Sequence, residues 1–167
     1  MEMTLNDNLD IIKEHQATTP VHVIPLASKF GIDVFKVPVD NDNFSGMIRK
    51  NDDGKYDIYV NASHSPSRRR FTIAHELAHY ILHRVQIGDG ITDDALYRSG
   101  LSNYIESEAN QLAADILMPR HLLQKYMDEG INSVPELAKI FEVSPSAMSI
   151  RLGVPYETES SQRMASI

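Results

Sequence analysis

The fold of this chain is decided by the stretch 67-SRRRFTIAHELAHYILHR-84. Its apolar residues recur with the period of an amphipathic helix, so we expect a helix from Ser67 to Arg84 with Ser67 as the N-cap. On a helical wheel one arc is apolar and contains Phe71, Ala74, Leu77, Ala78, Ile81, Leu82 and Val85. The edge of that arc carries a histidine stripe, which consists of His75, His79 and His83. Three histidines at the edge of a core require a chemical explanation.

Within this helix, His75 and His79 are four residues apart and project to the same side. Their rings can therefore converge on one ion that binds nitrogen at about 2.0–2.1 Å. Glu76 follows the first histidine, and there it can take a proton from water and return it to a leaving amine. Either histidine alone could be a hydrogen-bonded residue of the core. Two histidines four residues apart, with a glutamate between them, favour a metal-binding site. His83 is an alternative ligand, although Glu76 is explained only by the 75/79 pair.

The third ligand has to come from another segment. The longer zinc-protease signature requires glycine at position 82 and histidine at position 85, where this chain has Leu82 and Val85. A carboxylate from the helix predicted over 104–118 is therefore favoured. Glu106 falls in the apolar arc of that helix, where a buried carboxylate needs a cation, whereas Glu108 falls on the polar side.

Two further possibilities concern the surroundings of Glu106. It could instead form a buried salt bridge with an arginine of 68–70. Asn110, one helical turn after Glu106, could orient a ligand histidine through its free ring nitrogen.

The rest of the chain predicts a small α+β domain. Other helices are expected at 7–16, 21–30, 121–127, 134–141 and 145–151, and β-strands at 32–37, 46–49 and 56–60 as a small antiparallel sheet. Residues 88–103 have no clear periodicity and are expected to be a loop. We expect one domain over 1–156, with the helices of 133–152 packed on it or forming a small subdomain, and a flexible tail over 157–167.

Composition restricts the possible functions. The 167 residues include 16 basic and 23 acidic side chains, a formal charge of −7, which disfavours direct nucleic-acid binding. Because there is no cysteine, a metal would have to be held by histidines and carboxylates. No stretch predicts a membrane span and no signal peptide is recognisable, so we expect a cytoplasmic protein. Residues 133–153 have the rhythm of a helix-turn-helix, but their charges sum to zero, which favours packing or partner docking.

Two motifs carry a resemblance to a known family. They are 69-RRFTIAHELAHYILH-83 and 106-ESEANQLAADILMP-119, and together they resemble the ImmA/IrrE family of metallopeptidases. The resemblance implies an α+β fold with a zincin-like helical core and a Zn²⁺ site. It implies His75, His79 and Glu106 as ligands and Glu76 as general base. Two departures are mild, since Leu112 stands where phenylalanine is common and Ala78 where glycine is common.

The resemblance also implies a function. Members of the family are similar in acting as cytoplasmic proteases, and several cleave a helix-turn-helix repressor that is often encoded nearby. The expected function is therefore zinc-dependent cleavage of such a protein. The alternatives are a non-catalytic module that keeps the metal and sequesters a repressor or toxin, and a site that is empty or structural.

Two details of substrate handling can also be predicted. The strand over 56–60 could align an extended peptide by edge pairing, a hypothesis based on chain order alone. The candidates for a second oxyanion donor are Tyr56, Tyr59, Tyr97, Tyr104 and His121.

Overall fold

The computed structural model describes residues 3–94 and 103–155. This part of the chain contains seven helices and four strands. In chain order they are α1 (Leu5–His15), α2 (Val23–Lys29), β1 (Asp33–Val37), β2 (Phe44–Lys50), β3 (Tyr56–Asn61), α3 (Pro66–Ile87), β4 (Gly90–Asp94), α4 (Asn103–Leu117), α5 (Arg120–Asp128), α6 (Val134–Phe141) and α7 (Pro145–Leu152). The predicted α+β class is confirmed. The predicted tail over 157–167 and residues 95–102 of the predicted loop lie outside the described residues.

The sheet is mixed, with strand order β1-β3-β2-β4. β2 runs antiparallel to β3 and to β4, but β1 pairs in parallel with β3 through contacts such as Val34 opposite Ile58. The prediction of a wholly antiparallel sheet is therefore wrong for β1, and the prediction of a loop from residue 88 is wrong for β4. Periodicity identifies β-prone runs, whereas the choice of partner depends on which strand edge tertiary packing leaves available.

Helix α3 begins earlier than expected and is packed closely on the sheet. Its N-cap is Ser65, not Ser67, because the Ser65 hydroxyl accepts a hydrogen bond from the Arg68 amide at 3.3 Å and Pro66 takes the first helical position. At Gly46 of β2, a Cβ atom would lie 2.5 Å from Cγ2 of Thr72 and 2.8 Å from the Tyr59 carbonyl oxygen. The absent side chain at Gly46 thus allows α3 to approach the sheet.

The helical phase of α3 changes at His83. This residue has non-helical dihedrals, φ −126° and ψ 19°, within the helix. Ala74, Leu77 and Ala78 are buried as the wheel predicts, but Val85, predicted in the same arc, is 94% exposed. The prediction for Val85 is wrong because the wheel assumes regular helix beyond His83.

One hydrophobic cluster connects the helices with the sheet. It includes Ile58 of β3, Leu77 of α3, Ile116 of α4 and Leu137 of α6. The helices α6 and α7 begin at the N-caps Ser133 and Ser144, whose side chains each accept a backbone hydrogen bond. In the described part of the chain, no helix is both long enough and apolar enough to cross a bilayer.

Candidate metal centre

Helices α3 and α4 bring three predicted side chains to one point. His75 Nε2 and His79 Nε2 are 3.1 Å apart. One oxygen of Glu106 lies 3.3 Å from His75 Nε2, and the other lies 3.2 Å from His79 Nε2. Among the described residues, these three form the group of histidine and acidic side chains with metal-ligand geometry.

The three separations match those required around a tetrahedral ion. Zinc binds histidine nitrogen and carboxylate oxygen at about 2.0–2.2 Å, so neighbouring ligand atoms in a tetrahedron lie about 3.3 Å apart. The observed values of 3.1, 3.2 and 3.3 Å fall at this edge length. Two histidines and one carboxylate also leave a fourth position for water or substrate. The donor set therefore fits a divalent ion.

The electrostatics of the cluster also suit a cation. His75 and His79 are buried, and the Glu106 side chain is mostly covered. Burial holds the pKa of His79 below its usual range, so the ring is neutral and can offer a lone pair. Hydrogen bonds with His75 and His79 hold the pKa of the Glu106 carboxyl well below its usual range, so it is ionised. The neutral His79 ring and the ionised Glu106 carboxylate thus converge beside His75 as electron donors.

Glu76 belongs to the same turn of α3 as the two histidines. Its side chain is fully buried, with 0% of the residue exposed. An ionisable carboxyl in such a place carries a large desolvation cost, which is typical of a functional group. The role of proton acceptor for Glu76 stays a prediction.

Glu108, predicted on the polar side of α4, has a side-chain partner in the structure. Its Oε2 atom lies 3.1 Å from His83 Nε2, although the carboxylate remains 40% exposed. The hydrogen bond with His83, and a second with the Tyr104 hydroxyl, lower the pKa of Glu108. The sequence feature that could have predicted this contact is His83, the third member of the histidine stripe, because it continues the stripe towards α4.

The predicted role of Asn110 is not supported. His79 Nδ1 lies 3.1 Å from His83 Nδ1, and His75 Nδ1 has no hydrogen-bond partner among the described residues. Asn110 itself is exposed, because α4 turns position 110 outward. The side chain that contacts the free ring nitrogen of a predicted ligand is therefore His83.

The alternative of a salt bridge between Glu106 and an arginine of 68–70 is not observed. Arg68 donates to the Ser45 hydroxyl, and Arg69 donates to the carbonyl oxygens of Ala62 and His64. Arg70 donates to the carbonyl oxygens of Val21, Phe141 and Glu142, at 2.9, 3.3 and 3.1 Å. Its Nε atom also lies 3.7 Å from the Glu142 carboxylate. The Arg70 guanidinium is thus already engaged with α6 and with the segment before α2.

Several of the candidate oxyanion donors have other partners. The Tyr56 hydroxyl donates to the Gly88 carbonyl oxygen at 2.6 Å, and the Tyr59 ring stacks on Phe35. The Tyr104 hydroxyl is bonded to Glu108, which raises the pKa of the tyrosine. Of the remaining candidates, His121 is exposed and Tyr97 lies outside the described residues.

The sheet also changes the hypothesis of peptide pairing. β3 lies between β1 and β2, so its backbone is already paired on both sides. An added peptide strand needs a free edge. Within the described sheet the free edges belong to β1 and β4, and the prediction for the strand over 56–60 is wrong.

A surface cavity lies beside the helices that carry the cluster. It has a volume of about 430 Å³ and is lined by α3, α4, α5 and α7, with contributions from Phe71, Asn110, Arg120 and Ile150. The Phe71 ring stacks near the His75 ring, with 6.5 Å between centroids. Phe71 thus both lines the cavity and neighbours the ring of a predicted ligand.

Comparison with known proteins places the chain in a family. Residues 27–153 match the sequence model of a peptidase family that is described as the IrrE N-terminal-like domain. Two similar curated proteins are the radiation response metalloproteases IrrE of Deinococcus radiodurans and Deinococcus deserti. They are 38% and 34% identical over 108 residues. Each alignment covers 57% of this chain, but only 31% and 37% of the relatives.

A solved structure shares the fold. A Mycobacterium tuberculosis transcriptional regulator superposes with a TM-score of 0.62 at 18% identity, over 94% of this chain and 48% of that one. At this identity the likeness concerns the fold alone. The match of the family model over residues 27–153, together with the two IrrE relatives, shows that the chain belongs to the ImmA/IrrE family of metallopeptidases.

Proposed function

We propose that this protein is a zinc-dependent endopeptidase. The observation that carries the proposal is the convergence of His75, His79 and Glu106 at separations of 3.1–3.3 Å, with Glu76 buried in the same helical turn. Two histidines and one glutamate are the ligand set of thermolysin-type catalytic zinc, so Glu106 as third ligand would make the centre gluzincin-like.

The proposed chemistry divides the work between the ion and the side chains. A zinc ion held by the three ligands would supply Lewis acidity to a water molecule and to the scissile carbonyl. Glu76 accepts the proton of the attacking water on its carboxylate and delivers it to the leaving amine nitrogen. Burial of His75 and His79 keeps their rings in one orientation and excludes competing water.

We propose a DNA-binding repressor encoded nearby as the substrate. One support is membership of the ImmA/IrrE family, whose resemblance implies a cytoplasmic regulatory protease. The other is the name of the two relatives, which are radiation response metalloproteases. The repressor would also place the reaction in the cytoplasm. We further propose that residues 1–156 form the metallopeptidase domain, because α6 and α7 share its hydrophobic cluster.

The test uses one charge-removing substitution and one matched control. Zinc-loaded protein is incubated with the repressor encoded nearest its gene, beside Glu76→Gln and beside Glu129→Gln, which makes the same change at an exposed position. We expect cleavage by the native protein and Glu129→Gln, and a loss of about 10²–10⁴-fold for Glu76→Gln with its zinc content retained.

The same experiment decides between the enzyme and the binding module. A stable complex with the repressor, and no product from any of the three proteins, would favour sequestration without turnover. Product from Glu76→Gln at the native rate would remove Glu76 from the mechanism.

A further inference from the structure

The third histidine of the stripe links a predicted ligand to a carboxylate on α4. His83 is buried, with its Nδ1 atom 3.1 Å from His79 Nδ1 and its Nε2 atom 3.1 Å from Glu108 Oε2. The non-helical dihedrals at His83 accompany this placement. Both ring nitrogens of His83 therefore have a partner, and neither points into the ligand cluster.

The direction of each hydrogen bond follows from the atom that His79 presents to the cluster. His79 Nε2 faces His75 and Glu106, and in the metal-bound state this ligand nitrogen would carry no proton. The proton of the neutral ring is then on Nδ1, which donates to His83 Nδ1. His83 must in turn carry its own proton on Nε2 and donate to Glu108, an ionised carboxylate that only accepts. Every donor in this chain of three side chains meets one acceptor.

We propose that His83, held by Glu108, is a positioning residue that fixes the tautomer and ring orientation of His79 for metal binding. The proposal rests on the metal site of the proposed function. It replaces the alternative in which His83 itself is a ligand. Outer partners of ligand histidines raise metal affinity because they preorganise the ring, and their loss typically costs about 10–100-fold in affinity.

The two predicted ligands differ in this support. His79 is held through Nδ1, whereas His75 Nδ1 has no hydrogen-bond partner within the described residues. Loss of His83 should therefore act on one of the two histidines. A role in packing alone predicts a different result, because a phenylalanine of similar shape would fill the same space.

The test measures metal affinity, which does not depend on a substrate. His83→Phe keeps the ring volume and removes both hydrogen bonds, and His83→Asn restores an acceptor near the position of Nδ1. We expect His83→Phe to raise the zinc dissociation constant about 10–100-fold in competition with a chromophoric chelator, and His83→Asn to recover most of the loss. His64→Phe is the matched control, since His64 is also buried but is bonded to Asn61.

Two further measurements cover a variant that fails to fold. Glu108→Ala changes a partly exposed position and should raise the dissociation constant by about threefold or more. In the native zinc-loaded protein, nitrogen NMR of the imidazoles should show His83 protonated on Nε2 and His79 on Nδ1. The Nδ1-protonated form of His83, or native zinc affinity in both His83→Phe and Glu108→Ala, would overturn the proposal.

The outcomes also separate this proposal from the proposed function. A native protein that binds zinc, with variants of equal affinity, refutes only the role of His83. A native protein without stoichiometric zinc refutes both. A native protein that binds zinc but cleaves nothing leaves the positioning role supported by the affinities of the variants.

Discussion

Two consecutive parts of helix α3 handle buried polar groups in opposite ways. In the first turns, Arg69 donates to the carbonyl oxygens of Ala62 and His64, and Arg70 donates to three others. In the next two turns, the nitrogens of His75 and His79 face each other and the Glu106 carboxylate. These groups do not face backbone carbonyl oxygens as the arginines do.

The difference separates structural from functional polar groups. The arginines donate to backbone carbonyl oxygens, so the protein itself completes the hydrogen bonds of this part. The histidines and Glu106 present lone pairs to one point, and only a cation or protons can satisfy them together. Both parts are polar and partly buried, but only the second offers a set of electron donors that one cation would satisfy.

The largest expected effect is on metal binding. Glu106→Gln removes the charge but keeps the shape, so we expect the zinc dissociation constant to rise more than about 100-fold, beyond the loss of an outer partner. Zinc at about 100 times its dissociation constant should stabilise the native protein by about 2.7 kcal/mol, and should scarcely stabilise this variant. Calorimetry with and without zinc checks both. Equal zinc stabilisation of the two proteins would contradict the assignment.

The next effect tests the arginine part of the helix. Arg70→Met leaves the carbonyl oxygens of Val21, Phe141 and Glu142 without their donor, and we expect a loss of about 2–4 kcal/mol in the free energy of unfolding. The zinc affinity of the folded variant should remain native. Denaturant unfolding and chelator competition measure the two quantities, and a large loss of affinity would show that the two parts are coupled.

A smaller effect on stability is expected where α3 packs against the sheet. Gly46→Ala adds a Cβ atom against Thr72 Cγ2 and the Tyr59 carbonyl oxygen, so we expect a destabilisation of about 1–3 kcal/mol. The contact of α3 with α4 is on other residues, and zinc affinity should change little. Thermal unfolding checks the first point. Native stability would mean that α3 can withdraw from the sheet at no cost.

The smallest effect is expected from the exposed acid next to Arg70. The Glu142 carboxylate is 58% exposed and lies 3.7 Å from Arg70 Nε, so solvent screens the pair. Glu142→Gln should change the free energy of unfolding by less than about 0.5 kcal/mol. If this variant lost as much as Arg70→Met, the ion pair and not the carbonyl contacts would be the main role of Arg70.

The sequence by itself predicted the elements that depend on local periodicity. The spacing of His75 and His79 determined that their rings share one side of a helix, and the wheel of α4 distinguished the better covered Glu106 from Glu108. Each inference required only the regular geometry of a helix. Motif resemblance added the family, which the match over residues 27–153 confirmed.

Tertiary structure decided what local periodicity does not contain. The parallel pairing of β1 with β3 depends on which strand edge packing leaves free, and the exposure of Val85 depends on the change of helical phase at His83. The contact between His83 and Glu108 joins two helices through side chains 25 residues apart. A sequence determines these features only through the packing of the whole chain, because each one compares distant segments that compete for the same neighbours.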